Sequence, residues 1–289
     1  MVMSNLKFDN DMNYFVMSDL HGQGKLYDLV VNHFDEKAKE TNEKITLIID
    51  GDVIDRGPDS IRILLDIMDR VKNKKGNFNM ILLPGNHEYM MYQAINYCLK
   101  NQQWNSNDIW FHPANHGLET AEEFVKLPAD KEIELYEFLG SLPLFCTVEG
   151  KKTETSYVIV HAVPPSFALT GGDVPTLSDV FSKESYKSLK SCLTYRKSSD
   201  EEKISIPNQN VVTVIGHTPV ETEKGYLIKE NGRLLMIDGG CAFMAENSNS
   251  DSMSEALTVV KLSPNRKLLI GTYGASNQKE LRMPSKTRK

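Results

Sequence analysis

Five short apolar runs recur along the chain, and each is closed by polar residues able to do chemistry. Tyr14-Phe15-Val16-Met17 leads into Ser18-Asp19-Leu20-His21-Gly22, and Thr46-Leu47-Ile48-Ile49 leads into Asp50-Gly51-Asp52-Val53-Ile54-Asp55-Arg56-Gly57. Met80-Ile81-Leu82-Leu83 precedes Pro84-Gly85-Asn86-His87-Glu88, Tyr157-Val158-Ile159-Val160 delivers His161, and Val211-Val212-Thr213-Val214-Ile215 delivers Gly216-His217-Thr218. Val/Ile/Leu runs without alternation suit strands buried on both faces, and open α/β sheets gather functional groups beyond the carboxyl ends of such strands. Strand ends converging in this way would form one polar pocket.

Between the runs the period changes. Ile61, Leu64, Leu65 and Met68 recur at i, i+3, i+4 and i+7, predicting a helix over Ser60–Val71 with Asp59 or Ser60 as its cap. The stretch Glu88–Leu139 is mostly helical in pattern, with Met90, Met91, Ile95, Leu99, Leu118, Phe124 and Leu127 as its packing face. Another helix is expected over about Ser178–Leu193, after the loop Pro164–Pro175, and both would cover the pocket mouth. Ser198–Glu202 and Glu246–Ser254 read as polar loops, residues 1–275 as one domain and residues 276–289 as a basic tail.

Composition narrows the class. The 289 residues are 40% hydrophobic and 25% charged, ordinary for a soluble globular chain with a sizeable core. No apolar run approaches the ~20 residues of a membrane span. Asp9, Asn10 and Asp11 interrupt the N-terminal stretch where a signal peptide needs apolar residues, so a cytoplasmic location is expected. A net charge of −6 disfavours long nucleic acid as a partner. Cys98, Cys146, Cys192 and Cys241 are far apart and form no C-x-x-C pair, so they read as reduced, mostly buried thiols rather than a zinc site.

Asp19, His21, Asp52, Asn86, His161 and His217 offer carboxylate, amide and imidazole donors without a thiolate, a set suited to Mn²⁺, Fe²⁺ or Zn²⁺. One ion would not use them all. Two ions ~3.5–4 Å apart with a bridging carboxylate match the set better.

In order and internal spacing, D-x-H-G at Asp19–Gly22, G-D-x-x-D-R-G at Gly51–Gly57, G-N-H-E at Gly85–Glu88, His161-Ala162 and G-H-T at Gly216–Thr218 resemble the phosphoprotein phosphatases. These are a family of calcineurin-like metallophosphoesterases. The resemblance runs from about Tyr14 to Phe243, and Ile237-Asp238-Gly239-Gly240-Cys241-Ala242-Phe243 is similar to the family's closing strand and turn. It implies a central β-sandwich flanked by helices, in place of the doubly wound sheet that the strand runs alone suggest. By the same resemblance Asp19, His21 and Asp52 hold one metal, Asp52, Asn86, His161 and His217 hold the other, and Asp52 bridges. His87 becomes the acid that protonates the leaving group, oriented by Asp55, while Arg56 binds phosphate oxygens in its planar fork. Leu193-Thr194-Tyr195-Arg196 is similar to the segment carrying a second phosphate-binding arginine, Arg196, in bacterial and phage members. With two divalent ions and both arginines the site would carry a charge of roughly +3 toward a phosphate dianion.

The implied activity is hydrolysis of phosphomonoesters, with phosphoserine or phosphothreonine in proteins as the substrate class, by attack of a metal-bridging hydroxide. Mn²⁺ is the expected ion, with Fe or Zn as alternatives. Two other readings compete: a symmetrical diadenosine tetraphosphate hydrolase on the same core, and a non-catalytic module that binds metal or a phosphoprotein. A phosphorylated protein or a small phosphoester is the expected partner. His33, His112 and His116 are assigned to surface, cap or core hydrogen bonds, Asp50 to hydrogen bonding in or near its loop, and Glu88 to orienting its own loop. Two departures stand out: Ser18 occupies a position where the family has glycine, and Val163-Pro164-Pro165 follows His161 in place of a small-residue turn.

Overall fold

The computed structural model describes residues 4–9, 11–74, 76–168, 172–196, 210–245 and 256–274. The expected loops 198–202 and 246–254 and the expected tail 276–289 lie outside the described residues. Two mixed sheets face each other and helices cover their outer sides. The first sheet contains β2 (Met12–Met17), β3 (Lys44–Asp50) and β4 (Phe78–Leu83) in parallel, followed on the β2 side by antiparallel β10 (Ala256–Lys261) and β11 (Leu269–Gly274). The second sheet runs in the order β1 (Asn5–Lys7), β5 (Cys146–Glu149), β6 (Ser156–Ile159), β7 (Val211–Ile215), β9 (Leu234–Met236), β8 (Leu227–Lys229), with β6, β7 and β9 parallel. The sandwich expected by resemblance is therefore the architecture observed.

Register explains the pocket. Val16, Ile48 and Ile81 stand abreast, as do Met17, Ile49 and Leu82, so the three strands of the first sheet end together. Val16, Ile48, Ile81 and Leu83 meet Val148, Tyr157, Ile159, Val212, Val214, Leu235 and Ile237 of the second sheet in a dry layer between the sheets. Each such buried aliphatic side chain contributes about 1.5–3 kcal/mol relative to exposure. Alternate residues, Phe15, Met17, Leu47, Ile49, Met80 and Leu82, point to the other side, under α1 (Gly24–Thr41) and α2 (Ser60–Lys72).

The helices depart from expectation in detail. α2 matches the predicted stretch, but Asp59 makes no side-chain cap, and Ser60 turns its hydroxyl toward the backbone N–H of Asp55 (2.8 Å). α1 is absent from the expected helices, although Leu26, Tyr27, Val30, Val31, Phe34 and Ala38 form its buried face. The long helical stretch divides into α3 (Asn86–Asn101), a 3₁₀ turn at Ile109–Phe111, α4 (Gly117–Phe124) and α5 (Ala129–Gly140). Leu99 and Leu118, expected in its packing face, are about half exposed, because each lies on the outer side of its helix. The helix expected over 178–193 is broken into α6 (Leu177–Ser182), a 3₁₀ segment (Glu184–Lys190) and α7 (Ser191–Thr194). Among the described residues, no helix is long and apolar enough to cross a membrane. The four cysteines are free thiols, with Cys146, Cys192 and Cys241 buried and Cys98 half-buried.

Candidate metal centre

The loops beyond β2 and β3 keep pairing after the strands end. Asp19 N–H donates to Gly51 O (3.1 Å), His21 N–H to Asp52 O (2.9 Å) and Gly22 N–H to Val53 O (2.8 Å). Backbones this close leave no room for side chains at the motif glycines. A Cβ on Gly57 would lie 2.4 Å from His21 O, and one on Gly85 would lie 2.1 Å from Asp52 Oδ1. The turns also force Asp19, His21, Asp52, Asp55, Arg56 and His217 into the left-handed region, at φ of 54°, 45°, 50°, 70°, 67° and 66°. For residues with a Cβ this conformation costs about 1–2 kcal/mol each.

Glu88, in the first turn of α3, holds the loops together. Its carboxylate accepts the N–H groups of Asp52 (2.8 Å), Val53 (2.9 Å) and Gly85 (2.7 Å), so it reaches beyond its own loop to brace the one that carries Asp52. Asp52 Oδ1 in turn accepts His87 N–H (2.9 Å) at the start of α3, where the helix dipole favours a negative charge.

Three imidazoles converge on the other oxygen of Asp52. Nε2 of His161, His21 and His87 lies 3.4, 3.6 and 3.9 Å from Asp52 Oδ2. Their opposite nitrogens are tied to acceptors: His161 Nδ1 to Asp50 O (2.9 Å), His21 Nδ1 to Ile54 O (3.0 Å) and His87 Nδ1 to Asp55 Oδ2 (2.6 Å). An Nδ1–H bonded to an acceptor leaves the Nε2 lone pair aimed inward, as a metal-binding histidine needs. A carboxylate ringed by imidazole nitrogens in this way is suited to hold a cation. Two compact donor groups result, His21/Asp52/His87 and Asp52/His161/His217, with Asp52 common to both. The buried Nδ1 of His217 has no hydrogen-bond partner among the described residues. These donors fit two divalent ions sharing Asp52.

Each expected site residue has a definite place. Asn86 Oδ1 is 3.2 Å from His161 Nε2. Asp19 is buried, its carboxylate accepting the His217 N–H (3.1 and 3.0 Å) and the Ser18 hydroxyl, and the compact group around His21 and Asp52 includes His87 and not Asp19. Ser18 also reaches Asp50 O (2.8 Å), and its one proton serves one acceptor at a time. Arg56 meets His21 Nε2 at 2.7 Å. Buried Cys192 and Leu193 anchor α7 beside the His161 loop, where Cys192 O accepts Ala162 N–H (2.8 Å), and this carries Arg196 Nε to 3.3 Å from His217 Nε2.

The electrostatics follow from burial and crowding. Burial pushes the Asp52 carboxyl up, but the imidazoles of His161, His87 and His21 outweigh it and hold it well below the carboxylate range. Burial lowers His161, yet Asp52, Asp19 and Asp50 together raise it well above an ordinary histidine. Burial and the neighbouring His161 push His217 down to about 3. Burial lifts Asp19 to about 7.

Three features were not legible in the chain. Asp50, expected to hydrogen bond near its loop, is fully buried, and neither carboxylate oxygen finds a partner among the described residues. Burial raises it to about 7, and it adds to the field at Cys146 in the layer between the sheets. Asp238, buried beside Asp19, is raised well above the carboxylate range by desolvation and by that charge. Trp110 donates its indole N–H to Asp55 Oδ2 (2.8 Å), a contact that no motif spacing announces.

The sequence model of calcineurin-like phosphoesterases matches residues 12–244. The chain belongs to that family. A solved serine/threonine phosphatase from Saccharomyces cerevisiae, with similarity to human phosphatase PP5, superposes with a TM-score of 0.50 at 16% identity, covering 96% of this chain and 85% of that one. A cold-active protein tyrosine phosphatase, solved as a point mutant, gives 0.56 at 14% identity, covering 93% and 82%. At such identities the likeness concerns the fold of this phosphoesterase. A curated relative, the zinc-dependent endopolyphosphatase of S. cerevisiae, is 34% identical over 86 residues, which cover 30% of this chain and only 24% of that protein. The family implies a phosphoester substrate and metal-dependent hydrolysis.

Proposed function

We propose that this phosphoesterase is a dinuclear phosphomonoesterase acting on phosphoserine or phosphothreonine in proteins. The observation that carries the reading is Asp52 shared by two donor groups. One member of these groups, His87, is tied through Nδ1 to the Asp55 carboxylate and is read as the proton donor, with buried Asp19 as the ligand in its place. Asp19, His21 and Asp52 would hold one ion and Asp52, Asn86, His161 and His217 the other; Mn²⁺ suits these oxygen and imidazole donors, as do Fe and Zn. When bound, the ions supply positive charge to the phosphoryl oxygens and a water ionised near neutral pH.

The chain's own residues supply the rest. Arg56 and Arg196 bind the phosphate oxygens from two sides of the site, the guanidinium fork matching phosphate bidentately. His87 carries its Nδ1 proton toward Asp55, which leaves Nε2, buried and without a partner among the described residues, to deliver a proton to the departing oxygen. Burial lowers His87, but Asp52 and Asp55 outweigh it and raise it above the ordinary histidine value, the direction an acid needs. Such an acid matters most for a strongly basic leaving group such as a serine or threonine alkoxide. A phosphoanhydride leaves as a weakly basic phosphate and needs little help, so the dyad supports the monoester reading over the dinucleotide one.

The test is p-nitrophenyl phosphate hydrolysis by metal-stripped protein titrated with Mn²⁺, alongside Asp52→Asn. Mn²⁺-dependent turnover that is lost with Asp52→Asn is expected. Wild-type protein that binds metal without turnover would favour the binding module. In the second step a phosphopeptide should be the better substrate, and diadenosine tetraphosphate turning over far faster would refute the protein-phosphatase reading.

A further inference from the structure

The Asp55 carboxylate that orients His87 is itself held from outside the motif loops. Asp55 Oδ2 receives two donors, His87 Nδ1 at 2.6 Å and the Trp110 indole Nε1–H at 2.8 Å. Asp55, His87 and Trp110 are all fully buried, so no solvent replaces a lost donor. Oδ1 has no close hydrogen-bond partner among the described residues, and beside the buried Thr120 side chain, which also faces the carboxylate, these two short bonds set its orientation.

The segment between α3 and α4 is built to hold the indole there. Asp108 caps the 3₁₀ turn by accepting Trp110 N–H (3.0 Å), and Asn115 donates to Ile109 O (2.7 Å) across the loop. Gly117 opens α4 against the ring: a Cβ there would lie 2.3 Å from Trp110 Cδ1 and 2.4 Å from Nε1. Phe111 and Trp104 pack beside the indole at ring centroid distances of 5.3 and 6.4 Å. A carboxylate with one donor can turn about its Cβ–Cγ bond and take the imidazole with it. A second donor on the same oxygen, fixed by a rigid bicyclic ring, removes that freedom.

We propose that Trp110 is a positioning residue of the reaction, its indole N–H fixing the Asp55 carboxylate that aims His87. The direction of proton delivery is then set by the segment between α3 and α4 as well as by the motif loops. The inference rests on the reading of His87 as the proton donor.

Trp110→Phe removes the N–H and keeps an aromatic ring, and it is compared on two aryl phosphates that differ in leaving-group basicity. Its kcat should fall about tenfold to a hundredfold more on phenyl phosphate than on p-nitrophenyl phosphate, with KM and metal stoichiometry unchanged. His87→Ala should show the same selectivity, larger. Independently of activity, the indole N–H resonance of Trp110, identified by its survival in Trp104→Phe, should lie downfield in the wild type and move upfield in Asp55→Asn. A uniform loss on both esters, or an indole resonance indifferent to Asp55→Asn, overturns the inference while leaving the phosphatase reading intact. A wild type inactive on both esters refutes that reading and the inference with it.

Discussion

Asp50→Asn should stabilise the metal-stripped protein, and increasingly so as the solution is made alkaline. The wild-type carboxyl is fully buried and lacks a partner on either oxygen among the described residues, and burial lifts its pKa from 3.8 to about 7. The native state therefore holds this proton more tightly than the unfolded chain does. Below the unfolded pKa both states carry the proton and the residue is neutral in each, so pH has no effect. Between pH 3.8 and about 7 the unfolded state ionises first and stability is progressively lost; above 7 the loss is complete. About three pKa units at ~1.4 kcal/mol each amount to about 4 kcal/mol. The asparagine has the same shape and no charge to desolvate. Urea unfolding of both proteins in EDTA at pH 4, 5, 6, 7 and 8 measures the difference. It should be near zero at pH 4 and approach about 4 kcal/mol at pH 8. Asp19 titrates in the same direction, so the wild-type curve alone does not isolate Asp50. Parallel curves for the two proteins would refute the reasoning.

Glu88→Gln places an amide where one carboxylate accepts three N–H groups, and the loss of a buried acceptor should cost about 1–3 kcal/mol in urea unfolding. Metal affinity should fall with it, since the brace carries Asp52; unchanged stoichiometry after dialysis would count against that coupling. Because His161 is raised well above 6.5 and shares Asp52 with the ions, Mn²⁺ affinity should climb with pH through neutrality. Calorimetry in buffers of differing ionisation enthalpy should register proton release on binding, and no release would contradict it. Arg196→Ala should raise KM for phosphomonoesters several-fold with a smaller effect on kcat, and unchanged kinetics would remove Arg196 from phosphate binding.

The candidate site was legible because its donor residues are concentrated in short loops with fixed spacing. Asp19, His21, Asp52, Asn86, His161 and His217 each follow an apolar run, parallel register aligns the strand ends within each sheet, and the facing of the two sheets brings the two sets together. What escaped the sequence depends on distant partners. β10 pairs with β2 across most of the chain, so the partners of Val259 and Val260, Met17 and Val16, are too distant for any local pattern to announce. The break between α6 and α7 falls in a stretch whose apolar spacing still resembles one helix. Asp50 looks like a loop residue because it follows Ile49 and precedes glycine, yet the strand runs one residue further and strand alternation turns its carboxyl into the layer between the sheets. Trp110 is invisible to motif reasoning because its partner Asp55 lies 55 positions earlier in the chain.

The six left-handed residues around the candidate metal centre bear on how such a protein would decay. Glycine would sit more comfortably at every one of these turns, since only glycine enters that region without a Cβ penalty. The chemistry of the candidate centre, together with loop hydrogen bonds such as those of Asp19 and Asp52, keeps a carboxylate, an imidazole or a guanidinium there. A lineage released from phosphoryl transfer would feel the opposite pressure, and glycine or asparagine should accumulate at positions 19, 21, 52, 55, 56 and 217 while the apolar strands stay intact. Retired descendants of this fold would then be recognisable by relaxed turns at the mouth of an undamaged sandwich.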